Sequence, residues 1–150
     1  IVFDIDEALS FEGESGPYLQ YAAVRANNIF SKLKERHGLD ERSVVEALTT
    51  VSPTAITEDS DEARELWGLV VEAGRLDEVV DQAVRTLELS VLAKYAFGLA
   101  QAFNGFYHKY SILNEEREDV RTWRAAAVAF YRRQLTTALE LMGCRVPAKM

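Results

Sequence analysis

The sequence predicts an all-α fold, a single helical bundle with a short non-helical N-terminal lead-in. Three observations carry that prediction. Apolar residues recur at helical spacing over at least three long stretches, and no strand-like alternation of useful length follows residue 16. Helix start and stop residues bracket those stretches in the right order. The chain has 150 residues, 48% hydrophobic and 27% charged, with only 8 Gly and 3 Pro, which suits one domain with one core. This composition excludes disordered, collagen-like and low-complexity chains. No run of about 18 uncharged apolar residues is present, so no membrane-crossing helix is expected.

Residues 1–16 hold five acids, no base and two glycines, and predict an extended piece or loop. Gly16-Pro17 starts the first long helix, because proline is tolerated at the first helical position. Leu19, Ala22, Ala23, Ala26, Ile29, Phe30 and Leu33 form its apolar face. Gly38 stops it, with Lys34, Arg36 and His37 in the last turn, where cations suit the helix dipole. Arg25, Lys32 and Arg36 form a stripe beside that face. Residues 39–50 predict a short helix ending near Ser52-Pro53. Residues 60–73 and 76–89 predict two helices split around Gly74. Ser90 is expected to cap the next helix, lined by Leu92, Tyr95, Ala96, Leu99, Phe103, Phe106 and Tyr110. Asn114 is expected to cap the last and longest, with Glu115, Glu116, Glu118 and Asp119 in its first turns. Val120, Trp123, Ala127, Phe130, Ala138 and Leu141 mark its core face, and Gly143 closes it.

The net charge of −7 argues against a generic nucleic-acid binder, but the charge is unevenly spread. Residues 39–89 carry thirteen acids against four bases and account for the sign. Residues 17–38 carry four bases against one acid, and residues 90–113 two bases and no acid, so these can face an anionic partner. Little points to catalysis. There is no Gly-rich phosphate loop. Asp4, Asp6, Glu7, Glu12 and Glu14 lack the ligand spacing of a calcium loop and read as a solvated acidic lead-in. His37, His108 and Cys144 are too few for a zinc site. Cys144 follows a helix end and reads as an inert thiol that fits a reducing, cytoplasmic setting. No metal and no cofactor is expected on this chain. Its first residue, Ile1, leads us to expect a processed or excised piece.

The binding signals are richer. Arg117, Arg121, Arg124 and Arg132 fall within one arc of the last helix, beside its apolar face; an ordinary solvated face has the same pattern. Phe103 and Phe106 sit at the centre of their stripe, with Tyr107 and Asn104 at its edge and His108 alongside. An edge tyrosine beside an amide and a histidine suits stacking on an unstacked base. The same spacing fits a half-buried structural tyrosine. The tail ending in Lys149 and Met150 is equally a frayed terminus or a basic contact.

Three blocks resemble one family. Ala8 to Tyr21 (ALSFEGESGPYLQY) is similar to the segment of arginyl-tRNA synthetases that leaves the catalytic domain. Leu92 to His108 (LAKYAFGLAQAFNGFYH) resembles the central helix of their C-terminal DALR anticodon-binding domain. Arg124 to Leu135, Leu139, Leu141, Gly143 and the Pro147–Met150 ending resemble its final helix and terminal methionine. The chain departs from the common pattern at Ala23, Ala125, Ala127 and Ala148-Lys149. Cysteinyl-tRNA synthetases have a related helical domain, but the Gly-Pro-Tyr-Leu-Gln-Tyr start favours arginine.

The resemblance implies that residues 1–16 are the junction from a missing catalytic domain and 17–150 the DALR domain. It implies an arginine–tRNA ligase that charges tRNA(Arg) using ATP and Mg²⁺, with this piece itself inactive and cofactor-free. The partners it implies are the anticodon stem-loop of tRNA(Arg) and the catalytic domain in cis, with no DNA and no membrane. Tyr107 and Met150 match family residues that touch anticodon-loop bases, and Arg124 matches an arginine of the final helix. The candidate tRNA-binding set is Tyr107, Asn104, His108, Arg124, Arg121, Lys149 and Met150. The alternatives are a standalone, non-catalytic DALR-like tRNA-binding partner protein and a helical interaction module with no RNA role.

Overall fold

The computed structural model describes residues 4–9, 15–57 and 59–150. Among them are eight helices: α1 Ile5–Leu9, α2 Gly16–His37, α3 Glu41–Ala47, α4 Thr54–Thr57, α5 Asp61–Gly74, α6 Leu76–Thr86, α7 Ser90–Lys109 and α8 Glu118–Leu141. The all-α expectation holds, and no strand occurs among the described residues. None of these helices is long and apolar enough to cross a membrane.

Local chemistry sets most boundaries. Ser15 caps α2 by accepting the Tyr18 N–H at 3.3 Å, and Pro17 occupies the first turn. Gly38 ends α2 in the left-handed conformation (φ 68°), which side-chain-bearing residues disfavour. Asp40 and Ser43 form a reciprocal capping box on α3. Ser60 caps α5 by accepting the Ala63 N–H at 3.1 Å.

Four expectations are corrected. Residues 5–9 are helical, because the Asp4 carboxylate accepts the Asp6 N–H at 2.9 Å and so serves as a cap; residues 10–14, including Gly13, lie outside the described residues. Ser90 is the first residue of α7 and not its cap, since Leu89 is already right-handed and the Val91 N–H bonds the Glu88 carbonyl. Asn114 does not cap α8. Ile112 is fully buried and anchors the connection, and the Asn114 side chain accepts from Arg36 Nη1 at 3.2 Å instead. On α8 Tyr131 is the fully buried aromatic, Trp123 and Phe130 are half-buried, and Leu141 is exposed.

The last correction has an architectural cause. α8 is packed by α2, α3, α4, α5 and α7, so it is enclosed around most of its girth and a single apolar stripe does not describe it. α2 lies on one side of the α7–α8 pair, and α5 and α6 lie on the other. α2 runs parallel to α7. Tyr18 near its start packs on Phe97 with centroids 5.3 Å apart, and His37 at its end meets the Leu113 carbonyl at 3.3 Å. Between the layers, Ile29, Leu33, Leu99, Phe103, Tyr131 and Leu135 form the core, each such side chain contributing roughly 1.5–3 kcal/mol by burial.

Candidate nucleic-acid interface

Parallel packing of α2 and α7 brings two surface stripes together. On α2, Tyr21, Arg25, Asn28, Lys32 and Arg36 share a face, at offsets of 4, 7, 11 and 15 from the first. On α7, Asn104, Tyr107 and His108 border it. Tyr107 is half-buried. Its ring stacks on Phe103, with centroids 5.9 Å apart and 16° between planes, and Phe103 stacks in turn on Tyr131 at 4.2 Å. Tyr107 lines two adjoining depressions. One includes Tyr21, Arg25, Asn28 and Lys32, and the other Arg25, His108, Lys109 and Ser111.

Arg25 belongs to both depressions and is held in place. Its Nη1 donates to Asn104 Oδ1 at 2.8 Å, its Nη2 donates to Tyr21 Oη at 3.3 Å, and the guanidinium lies 4.9 Å from the Tyr21 ring centroid. Asn104 Nδ2 donates to Tyr18 Oη at 2.9 Å. Both ends of the Asn104 amide are thus engaged, and this side chain orients Arg25.

The cations of the α2 stripe are not neutralised by any described carboxylate. Among the described residues Arg25, Lys32 and Arg36 form no ion pair. At the edge of the second depression Lys109 is paired with Glu65 at 2.7 Å; elsewhere Arg117 pairs with Glu115 at 3.5 Å, and Arg132 and Arg133 pair with Glu41. The acid-rich α5 and α6 lie across the α7–α8 pair from α2.

The arginine arc expected on α8 is corrected. Arg117 is exposed, but Arg121 is half-buried and its Nη1 donates to the Glu115 carbonyl at 2.8 Å. Arg124 is buried. Its Nε donates to Glu62 Oε1 at 2.7 Å, and its Nη1 lies 2.9 Å from Glu115 Oε2 and donates to the Ser111 carbonyl. It joins α8 to α5 and to the α7–α8 connection. Burial pushes the Glu115 carboxyl up, but the Arg117 N–H and the Arg124 and Arg117 guanidiniums outweigh burial and hold it below its ordinary value. Enclosed by five helices, α8 commits Arg124 to Glu62 and Glu115, Arg132 to Glu41 and Arg121 to a backbone carbonyl.

Residues 19–150 match the DALR anticodon binding domain family. The chain belongs to that family. Arginine–tRNA ligases of Clostridium beijerinckii and Thermobifida fusca are 35% and 36% identical to it over 150 and 149 residues. Those matches cover 100% and 99% of this DALR domain but only 24% and 23% of the relatives. The solved arginyl-tRNA synthetase of Thermus thermophilus aligns at a TM-score of 0.73 with 29% identity, covering 99% of this chain and 23% of that one. The chain therefore spans about a quarter of the relatives it matches.

The C-terminal tail of the DALR domain lies apart from Tyr107. Gln20 Nε2 donates to the Arg145 carbonyl at 2.7 Å, and Val146, Pro147 and Ala148 line a groove with Asn27 and Arg132. Asn27 is about 200° around α2 from Arg25, at 100° per residue. Lys149 and Met150 are exposed and line neither Tyr107 depression. Tyr21, Arg25, Asn28, Lys32 and Arg36 all escaped the sequence-based site set, although the basic stripe of Arg25, Lys32 and Arg36 is visible in the sequence and Tyr21 and Asn28 share its spacing.

Proposed function

We propose that this DALR domain receives the anticodon stem-loop of a tRNA on its α2–α7 face. Tyr107 stacks on an unstacked loop base, and Arg25, Lys32 and Arg36 meet phosphates. The observation that carries this is the seating of Tyr107 between two depressions that share the oriented, carboxylate-free Arg25. Proteins read RNA sequence in single-stranded loops, where bases expose their faces and edges. Phosphate contacts set position. Asn104 acts by orienting Arg25 and His108 borders the second depression, while Lys149 and Met150 make a separate contact from the terminal tail, outside the two Tyr107 depressions. Arg121 and Arg124 support the α7–α8 connection and do not touch RNA.

The tRNA is tRNA(Arg), on the strength of relatives that match the full chain and are named arginine–tRNA ligases. Arginine activation, ATP and Mg²⁺ are assigned to polypeptide outside this chain, in a cytoplasmic enzyme. Among the described residues no three His, Cys, Asp or Glu side chains converge to hold a metal ion. Titration of this chain with a synthetic tRNA(Arg) anticodon stem-loop, followed by NMR, should shift resonances of Tyr21, Arg25, Tyr107 and His108. Shifts confined to α5 and α6, or none, would overturn the proposal. Arginine-dependent ATP–pyrophosphate exchange by this chain alone should be absent, and measurable exchange would reveal a catalytic site within it.

A further inference from the structure

A cluster of apolar side chains stands uncovered at the far end of α7. Val84, Leu87, Leu89 and Leu141 are 68%, 87%, 75% and 57% exposed, and they line one open groove. Contiguous apolar surface of this kind marks contact sites in folded proteins. Leu87 adds an independent observation. It is the C-cap of α6 and lies in the left-handed region (φ 57°), the one non-glycine residue to do so among those described. Glycine or asparagine would sit there with little strain. At 87% exposure Leu87 gains little burial within the chain to offset that strain, and retained strain points to function.

The position of the groove indicates what covers it. Leu89, the N-cap of α7, and Tyr107 near its end are eighteen residues apart, about 27 Å at the helical rise, so RNA and a second partner can be accommodated together. The groove shares its end of the bundle with the start of α2, where Tyr18 packs on Phe97 and Gln20 bonds the carbonyl of Arg145. There α1 leaves Ile5 and Leu9, one turn apart, exposed as well. The curated relatives carry about three quarters of their length beyond what this chain matches.

We propose that the α6–α7–α8 groove, with the exposed face of α1, docks on an apolar surface of the remaining ligase polypeptide and fixes this domain's orientation to it. The proposal rests on the chain's place within a longer ligase and not on the RNA face.

The test uses Leu87→Cys in a Cys144→Ser background, made both in the 150-residue chain and in the longer polypeptide that carries it. Maleimide labelling of the introduced thiol should be at least about ten-fold slower in the longer polypeptide, as expected for a site reached only by local opening. Val71→Cys, at an exposed position on α5, should label alike in both. Equal rates for Leu87→Cys overturn the proposal. So does slow labelling in the short chain accompanied by a dimer mass, which makes the occupant a second copy. A gene coding for this chain alone also overturns it. In the longer polypeptide, Leu89→Asp should restore fast labelling of Leu141→Cys, whereas no change would exclude the groove. The same Leu89→Asp change in the short chain should leave stem-loop affinity intact, which separates failure here from failure of the RNA proposal.

Discussion

Tyr107 serves the core and the proposed RNA contact with one ring. Stacking on Phe103 fixes its plane, so a base can add to it without ordering the side chain first. Tyr107→Ala should weaken binding of the anticodon stem-loop by roughly 1–3 kcal/mol, the worth of an aromatic–base stack. The salt dependence should stay the same, because no phosphate contact is lost. A variant that melts lower yet binds normally would make the ring purely structural. Arg124 is the opposite case. Its removal strands Glu62 and Glu115, so Arg124→Met should cost about 3 kcal/mol of stability in chemical denaturation while leaving the salt slope of binding unaltered. Glu115 also predicts a pH dependence. Its carboxyl is held below its ordinary value, so its contribution is present above the unfolded carboxylate range and disappears as pH falls through the folded value. Glu115→Gln should flatten the acid limb of stability against pH; an unchanged limb would exclude this carboxylate. The spacing of Tyr107 disclosed its edge position. The fate of Arg124 was hidden, because one of the two carboxylates that hold it, Glu62, lies 62 residues away in sequence.

Individual helices were legible where their signals are local. The start at Gly16-Pro17, the stop at Gly38 and the break around Gly74 agree with the structure, which adds Ser15 and Ser60 as the caps of α2 and α5, whereas α6 ends at Thr86, short of the expected residue 89. Signals failed where tertiary packing decides. Ile112 anchors the α7–α8 connection and delays α8 past Asn114, and the enclosure of α8 buries Arg124 and half-buries Arg121 and Arg132, which read as a surface arc. The α2 stripe was visible as charges, but its partnership with Tyr107 depends on α2 and α7 running parallel. At the end of α6 the conflict is local and testable. Leu87→Gly removes left-handed strain of roughly 1 kcal/mol and forfeits little burial, so the chemical denaturation midpoint of the chain should rise. Gly38→Ala imposes similar strain at φ 68° and should lower it by a comparable amount. A Leu87→Gly variant less stable than the parent would show that the leucine makes stabilising contacts within the chain.

For the whole molecule, a net charge of −7 opposes RNA on average, so binding depends on charge being separated across the bundle. α2 presents Arg25, Lys32 and Arg36 without ion pairs; Glu65 of α5 reaches the edge of this face through Lys109, whereas the acid-rich α6 packs on the far side of α7, two helix layers from α2. Two interaxial spacings amount to roughly 16–20 Å, beyond the Debye length of about 10 Å at 0.1 M salt. The α6 acids are therefore screened at moderate ionic strength and add long-range repulsion only when salt is low. If the three cations meet phosphates of a single-stranded loop, log K against log salt should fall with a slope of about −2, at roughly −0.7 per neutralised phosphate. Arg25→Ala should flatten that slope by about 0.7 and weaken binding across tRNA sequences alike, since phosphates carry no sequence. Neutralising Asp77 and Glu78 on α6 should leave the slope unchanged at 0.1 M salt and above. A slope near zero, or one that Arg25→Ala leaves untouched while the α6 changes alter it, would move the interface off the α2–α7 face.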